Sequence, residues 1–257
     1  MPDYYKHLFL VPLVKINPYL IKRIITLANY NAVQFAFVIS IQGEESYNNA
    51  KIAFQKHKNI YLKKPDKKYD RAKHWSYIID YAANKIQFDS FSYFFSGDDL
   101  DLDKFPVVSE KADIYINDYY INEWDNIKEN ASQKDIIQYP VKKIINKNLL
   151  LGKPILAPLQ KIIFSSSIAK KIIFDAPHSY ICDQLMVNSL IDHGAKARFI
   201  KQPFYKLNTH ERTYSKKIVL QEILKQQIYL YVHLHCYIGI PMIMLRTLIK
   251  HFLLRTR

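Results

Sequence analysis

The sequence is poor in the residues that mark disulfide-rich, metal-binding or flexible proteins. Its two cysteines, Cys182 and Cys236, form neither a CxxC pair nor a Cys/His ligand spacing, which argues against a disulfide framework and a zinc site. Glycine is scarce, at 5 residues, and low-complexity runs are missing. The start, MPDYYKHLFLVPLV, lacks the basic segment of a signal peptide. We therefore expect a folded protein of a reducing compartment.

Acidic residues are also scarce, which makes their one dense cluster informative. The chain has 37 Lys+Arg against 23 Asp+Glu and a formal net charge of +14, which favours an anionic partner: nucleic acid, a phospholipid surface or a phosphorylated substrate. Yet the stretch FSYFFSGDDLDLD places four aspartates within six positions, at Asp98, Asp99, Asp101 and Asp103. Such a cluster indicates either a cation site or a solvated polar turn.

The first hundred residues alternate between short apolar runs and helical patterns. Strands are predicted at 7–14, 35–41, 59–62 and 92–96, and helices from Asn17-Pro18 onward, at 46–56 and at 70–85. This alternation predicts an α/β fold with a mostly parallel sheet flanked by helices. Ligands of such sheets bind at the carboxyl ends of the strands, where the acidic cluster lies.

The second half is less regular. The segment ADIYINDYYI is rich in strand formers, whereas residues 120–160 follow no clear pattern. A helix is predicted from Asp183 to His193, where Gly194 ends it, and a strand from Ala197 to Gln202.

The C-terminal segment has a different composition. From Gln226 to Leu245 the chain has no Lys, Arg, Asp or Glu, while residues 211–257 carry eight Lys/Arg and two acids. Three interpretations are open: a helix pair on an anionic membrane surface, a membrane span, or a helical flap packed on the domain. We favour the first, and expect a domain at 1–215 and basic amphipathic, membrane-associating helices at 216–257.

Two motifs together resemble one known family. The first is Ser96-Gly97-Asp98-Asp99 after the fourth strand, and the second is YICDQLMVNSLIDHGAKARFIKQPFYKLNTHERTYS, residues 180–215. Their order resembles the family 2 inverting glycosyltransferases, which have a GT-A fold and include enzymes of bacterial cell-surface polysaccharide synthesis. In that family an Asp-x-Asp-Asp signature follows the fourth strand. An acidic dipeptide, a helix, a glycine, a strand, a Pro-aromatic pair and a His follow later, and Pro203-Phe204-Tyr205 matches the Pro-aromatic pair here.

The resemblance implies roles for individual residues. It makes Asp183 the general base, Asp98 the main ligand of a Mn or Mg ion with Asp99 assisting, and His210 a partner of the donor diphosphate or of the metal. The chain departs from the family pattern at Ser96, which replaces the first aspartate of the signature, and at Cys182, which replaces the usual glutamate.

Earlier correspondences concern donor binding. The resemblance places Pro12 beside the nucleotide base, and it places Lys73 and His74 of RAKHWS near the phosphates. The family usually has acids after the second strand that contact the nucleoside, and this chain has Ile41-Gln42-Gly43-Glu44 instead.

These features predict a metal-dependent inverting glycosyltransferase. It would transfer a hexose-type sugar from a nucleotide-sugar, with a UDP-sugar favoured, to a saccharide or lipid-linked acceptor of lipopolysaccharide, O-antigen or capsule, in the cytoplasm at the inner face of the membrane. A nucleic-acid-binding protein is an alternative, although the aromatic residues lie in apolar strands and no RNA-binding or zinc-finger spacing occurs, so we expect no nucleic-acid partner. The sequence is also compatible with a nucleotidyltransferase and with a catalytically inactive relative.

Overall fold

The computed structural model describes residues 4–106, 112–128, 150–152, 158–174, 176–208 and 219–255. Eleven strands lie in this part of the chain: β1 Tyr4–Leu13, β2 Phe35–Ile41, β3 Ile60–Lys63, β4 Gln87–Tyr93, β5 Asp99–Leu100, β6 Ile114–Asn117, β7 Tyr119–Ile121, β8 Ile127–Lys128, β9 Ile162–Ser165, β10 Ala197–Ile200 and β11 Tyr205–Leu207. The α-helices described are α1 Pro18–Tyr30, α2 Glu44–Phe54, α3 Arg71–Lys85, α4 Cys182–Asp192, α5 Leu220–His233 and α6 Ile240–Arg255.

Seven strands form the main sheet, in the order β10-β6-β9-β4-β1-β2-β3. All pairs are parallel except those of β9, which runs antiparallel to both β4 and β6. The predicted fold class, α/β with a mostly parallel sheet flanked by helices, is therefore confirmed. Four short strands form a second sheet, in the order β5-β11-β7-β8. They come from the chain segments that follow β4, β6 and β10.

Local sequence explains the helix starts. Asn17 caps α1, because its side-chain oxygen accepts a hydrogen bond from the Leu20 amide at 2.7 Å, and Pro18 opens the helix. Asp70 caps α3 in the same way through the Lys73 amide at 2.8 Å. Both helices then bury one apolar face against the sheet.

The fourth strand differs from its prediction. It runs from Gln87 to Tyr93 rather than over 92–96, since α3 ends at Lys85 and the strand follows almost at once. The chain then turns through Gly97, whose φ of 87° lies in the left-handed region that side chains disfavour. This turn delivers the acidic cluster to the carboxyl edge of the sheet.

The core lies on both faces of the sheet. One cluster contains buried residues of α3, α4 and the C-terminal helices, and the other contains residues of α1, α2 and the second sheet. Leu230 and Tyr231 of α5 and Ile243 of α6 belong to the first cluster. The C-terminal helices therefore pack on the domain, as in the flap interpretation. No helix among the described residues is both long and apolar enough to cross a bilayer.

Candidate active site

The candidate site lies at the carboxyl edge of the main sheet. The parallel strands β1, β2 and β4 end there, and the start of α3 meets the end of β2 through His74 and Ser40. The start of α4 lies near the start of α3, since the Arg71 guanidinium acts on the Cys182 thiol. Tyr93 at the end of β4, Trp75 of α3 and Cys182 of α4 share one buried cluster. The Tyr93 hydroxyl also donates to the Trp75 carbonyl at 3.1 Å, which places the first turns of α3 beside the end of β4.

Asp98 is buried and held by hydrogen bonds from separate segments. Its Oδ2 accepts from Gln160 Nε2 at 3.0 Å and from the Tyr205 hydroxyl, and its Oδ1 accepts from the Asn208 amide at 3.0 Å. Gln160 precedes the antiparallel strand β9, so that strand's direction is what brings it to this edge. The carboxylate therefore ties together the loop after β4, the segment before β9, and β11.

Asp99 has basic neighbours. It forms ion pairs with Arg23 of α1 and with Lys206 of β11, the latter at 3.9 Å. A divalent ion at Asp99 would compete with both cations. The assisting role of Asp99 toward a metal requires that the ion exchange with these bases, and it stays a prediction.

Asp183 is the second residue of α4 and is buried. Its Oδ1 accepts a hydrogen bond from the Gln184 amide at 3.0 Å. The free amides and the dipole at the start of a helix stabilise a negative charge there. Because α4 starts at the carboxyl edge of the sheet, the Asp183 carboxylate lies at the same edge as Asp98.

Cys182 does not replace the charge of the customary glutamate. Burial raises the pKa of its thiol to about 12, with the Asp183 carboxylate adding to the rise and the Arg71 guanidinium opposing it. The thiol donates to the Ser179 carbonyl at 3.3 Å. Position 182 is therefore neutral, and Asp183 supplies the only acid of this dipeptide.

His74 is a buried neutral side chain. Burial lowers its pKa to about 4. Its Nδ1 lies 3.1 Å from Gln42 Nε2, which is a donor, so Nδ1 accepts and Nε2 carries the proton toward Ser40 Oγ at 2.8 Å. Gln42 is itself fixed by both backbone groups of Tyr69. His74 thus joins the start of α3 to the end of β2.

The other predicted donor-binding residues lie in different settings. Pro12 is buried in β1, in register with Ser40 of β2. Lys73 is exposed and pairs with Asp70 at 3.4 Å. His210 lies outside the described residues.

Sequence reasoning missed the residues that hold the site. Gln160, Tyr205 and Asn208 bind Asp98, and Ser40 and Gln42 bind His74. The Arg71 guanidinium lies over the Trp75 ring, 4.2 Å from its centroid, at the start of α3. Only the Pro-aromatic segment 203–205 points to Tyr205, and nothing local marks Gln160.

The donor set suits an ion that is shared with a phosphorylated ligand. Among the described residues there is no group of three or more His, Cys, Asp or Glu side chains able to hold a metal. Magnesium and manganese are commonly held by one or two carboxylates together with substrate phosphates and water. Asp98 supplies one carboxylate of the kind that such an arrangement uses.

Comparisons with known proteins support the fold. No family model and no curated protein matches the chain. A structure of S. aureus TarS residues 1–349 with UDP-GlcNAc matches with a TM-score of 0.63 and 11% identity over 88% of this chain and 66% of that chain. The same fragment with UDP gives 0.62 and 11% over 96% and 72%, and a further TarS structure gives 0.60 and 11% over 88% and 39%.

This chain spans just under two thirds of the first of these TarS chains and well under half of the last. At such low identity the likeness concerns the fold. It is the α/β fold, with its mostly parallel sheet, that the two proteins share.

Proposed function

We propose that this protein is an inverting glycosyltransferase of the GT-A family 2 type that takes its sugar from a nucleotide-sugar, with a UDP-sugar as donor. One observation carries the proposal: two buried carboxylates, Asp98 and Asp183, lie at the carboxyl edge of a fold that TarS, solved with UDP-GlcNAc, also has. Removing a carboxylate from water is costly unless hydrogen-bond donors or a cation compensate its charge, and functional sites are where proteins often hold such groups.

Asp183 is the proposed general base. Its oxygen takes the proton of the acceptor hydroxyl while the acceptor oxygen forms a bond to the anomeric carbon. The bond from that carbon to the phosphate oxygen breaks on the opposite side, and its electron pair leaves with the nucleoside diphosphate. The attack from one side and departure from the other inverts the anomeric centre.

Asp98 would be the main protein ligand of a Mn or Mg ion, with Asp99 assisting and His210 as a further ligand or diphosphate partner. Such an ion, when bound, neutralises the charge that develops on the departing diphosphate. Lys73 and His210 are proposed to lie on the diphosphate side, and Pro12 beside the base. His74, being neutral, would act by fixing the start of α3 rather than as a cation.

The acceptor is proposed to be a saccharide or lipid-linked saccharide of surface polysaccharide synthesis, met at the inner face of the cell membrane. The net positive charge of the chain and its basic C-terminal helices support this location.

A thermal-shift panel tests the donor. UDP-, GDP-, CMP- and dTDP-sugars are compared with and without Mn, because a ligand that binds only the folded protein raises its melting temperature. We expect a Mn-dependent rise with UDP-sugars. A rise without metal would remove the metal from the proposal, and no rise with any nucleotide-sugar would favour a catalytically inactive relative.

A further inference from the structure

The C-terminal helices expose a row of apolar side chains to solvent, and one of them, Met242, borders Gly152. On α5 and α6, Leu230, Tyr231 and Ile243 point into the core. On the outer side lie four exposed apolar residues, which we call the apolar stripe: Ile238, Met242, Leu245 and Ile249. Their spacing of four, three and four residues places them along one side of α6 and of the turn before it.

The stripe is most exposed at the turn between the helices. Ile238 is 84% exposed and the neighbouring Tyr237 is 57% exposed, while Leu245 and Ile249 are about half exposed, at 53% and 48%. Single exposed apolar residues are ordinary on protein surfaces. A row of them that includes a highly exposed aliphatic side chain at a turn is typical of a surface that binds a membrane or another protein.

The charged residues of the C-terminal sequence indicate what kind of apolar surface the stripe would contact. After Glu222 the chain contains no further acid, whereas it contains five bases, at Lys225, Arg246, Lys250, Arg255 and Arg257. Lys225 and Arg246 are exposed. A row of aliphatic side chains within a stretch of sequence that carries bases and no acid complements the acyl chains and anionic headgroups of a bilayer.

The helix pair is also fixed to the catalytic domain. The Tyr180 amide donates to Gln226 Oε1 at 2.9 Å, and Tyr180 lies three residues before Asp183. The Arg246 guanidinium donates to the Leu151 carbonyl at 3.2 Å. A membrane that holds α6 would therefore hold the start of α4 in a defined orientation.

We propose that the apolar stripe is a docking face for an anionic lipid bilayer, into which Ile238, Met242, Leu245 and Ile249 insert while the nearby bases contact the headgroups. This deepens the membrane part of the proposed function by naming the face. It rests on the composition and exposure of α5 and α6 and does not require transferase activity.

Vesicle cosedimentation of the full chain, without donor or acceptor, tests the docking face. Vesicles of phosphatidylcholine alone are compared with vesicles that also contain phosphatidylglycerol. The test variant is Ile238→Ser/Leu245→Ser, and the control is Val33→Ser/Ile52→Ser, whose parent residues are 82% and 68% exposed elsewhere on the surface. Thermal unfolding of each variant checks that it is folded, and Met242→Ser serves as a second test variant.

We expect the wild type and the control to bind the anionic vesicles, more weakly in high salt, and the test variant to bind about tenfold or more weakly, since two aliphatic side chains no longer leave water. Equal binding of the wild type and the test variant would overturn the proposal. The proposal would also be overturned if the wild type did not bind vesicles but formed a dimer in sedimentation velocity, and the test variant were monomeric. The face would then be an interface with a second copy of the chain. Vesicle binding without any donor-dependent thermal shift would leave the docking face standing and count against the transferase.

Discussion

The Tyr205 hydroxyl donates a hydrogen bond to the carboxylate of Asp98, across a sequence separation of 107 residues. This contact joins the two motifs on which the functional interpretation rests, the acidic cluster after β4 and the Pro-aromatic segment 203–205 that leads into β11. It means that Asp98 has a structural role in addition to any role toward a ligand. The two roles can be separated experimentally.

Asp98→Asn should lower both stability and metal-dependent donor binding. Removing the negative charge weakens hydrogen bonds from Gln160, Tyr205 and the Asn208 amide, and we expect a loss of about 1 to 3 kcal/mol in the free energy of unfolding. Urea unfolding measures the first effect and Mn-dependent UDP-sugar binding the second. As a control, Asp89→Asn removes the charge from a carboxylate that accepts from Tyr4 at the surface. Unchanged Mn-dependent binding in folded Asp98→Asn would restrict Asp98 to its structural role.

Asp183→Asn should abolish turnover while leaving donor binding intact. The amide keeps the size of the side chain but cannot accept the acceptor's proton, and we expect a drop of about 10²- to 10⁴-fold in kcat. Asp192→Asn, at the other end of the same helix, is the matched control and should keep full activity. Sugar transfer and nucleotide-sugar binding are measured on both variants. Full activity of Asp183→Asn would eliminate it as the base.

The buried neutral His74 predicts a pH dependence of stability. Its pKa is about 4 in the folded protein, below the value of about 6.5 for an unfolded chain, so the unfolded state binds a proton first as the pH falls. The stabilisation is complete above pH of about 6.5 and is lost as the pH falls toward 4, by up to about 1.4 kcal/mol per pH unit. His74→Gln should show a shallower decline in urea unfolding between neutral and acid pH. Parallel declines would mean that folding does not lower the pKa of His74. His7 is also buried and has a lowered pKa. It is present in the wild type and in His74→Gln, so it contributes equally to the pH-dependent decline of both.

The C-terminal helices should contribute to the stability of the domain. Leu230 is 1% exposed, so Leu230→Ala should cost about 2 to 5 kcal/mol by removing buried methyl groups and leaving a cavity. Val232→Ala, two residues on and 42% exposed, should change stability by less than about 0.5 kcal/mol. Thermal or urea unfolding compares them. Similar small effects in both variants would show that α5 does not stabilise the core. By the same reasoning, deletion of 219–257 should lower the melting temperature in addition to any loss of membrane binding.

Local patterns were sufficient for much of the fold. The apolar runs at β1 and β2, the Asn17-Pro18 start of α1 and the Gly194 end of α4 all follow from nearest neighbours in sequence, because strand and helix periodicity and capping are short-range effects. The parallel sheet followed from the alternation of these elements. The acidic turn after β4 and Asp183 at the start of α4 could be recognised from motif residues for the same reason.

Contacts between distant segments account for the remaining features. Gln160 reaches Asp98 only because β9 runs against its neighbours, and Asp99 meets Arg23 only because α1 packs beside the second sheet. The uncharged stretch of residues 226–245 was compatible with a helix pair on a membrane surface, a membrane span or a helical flap on the domain. Composition measures how apolar a segment is and not which side of it is covered. The amino-acid sequence is enough to specify the elements and their order along the chain. The tertiary structure is needed to decide which charges are paired, which histidine is neutral and which helix face remains exposed. The reason is that burial and pairing arise only when remote parts of the chain pack together.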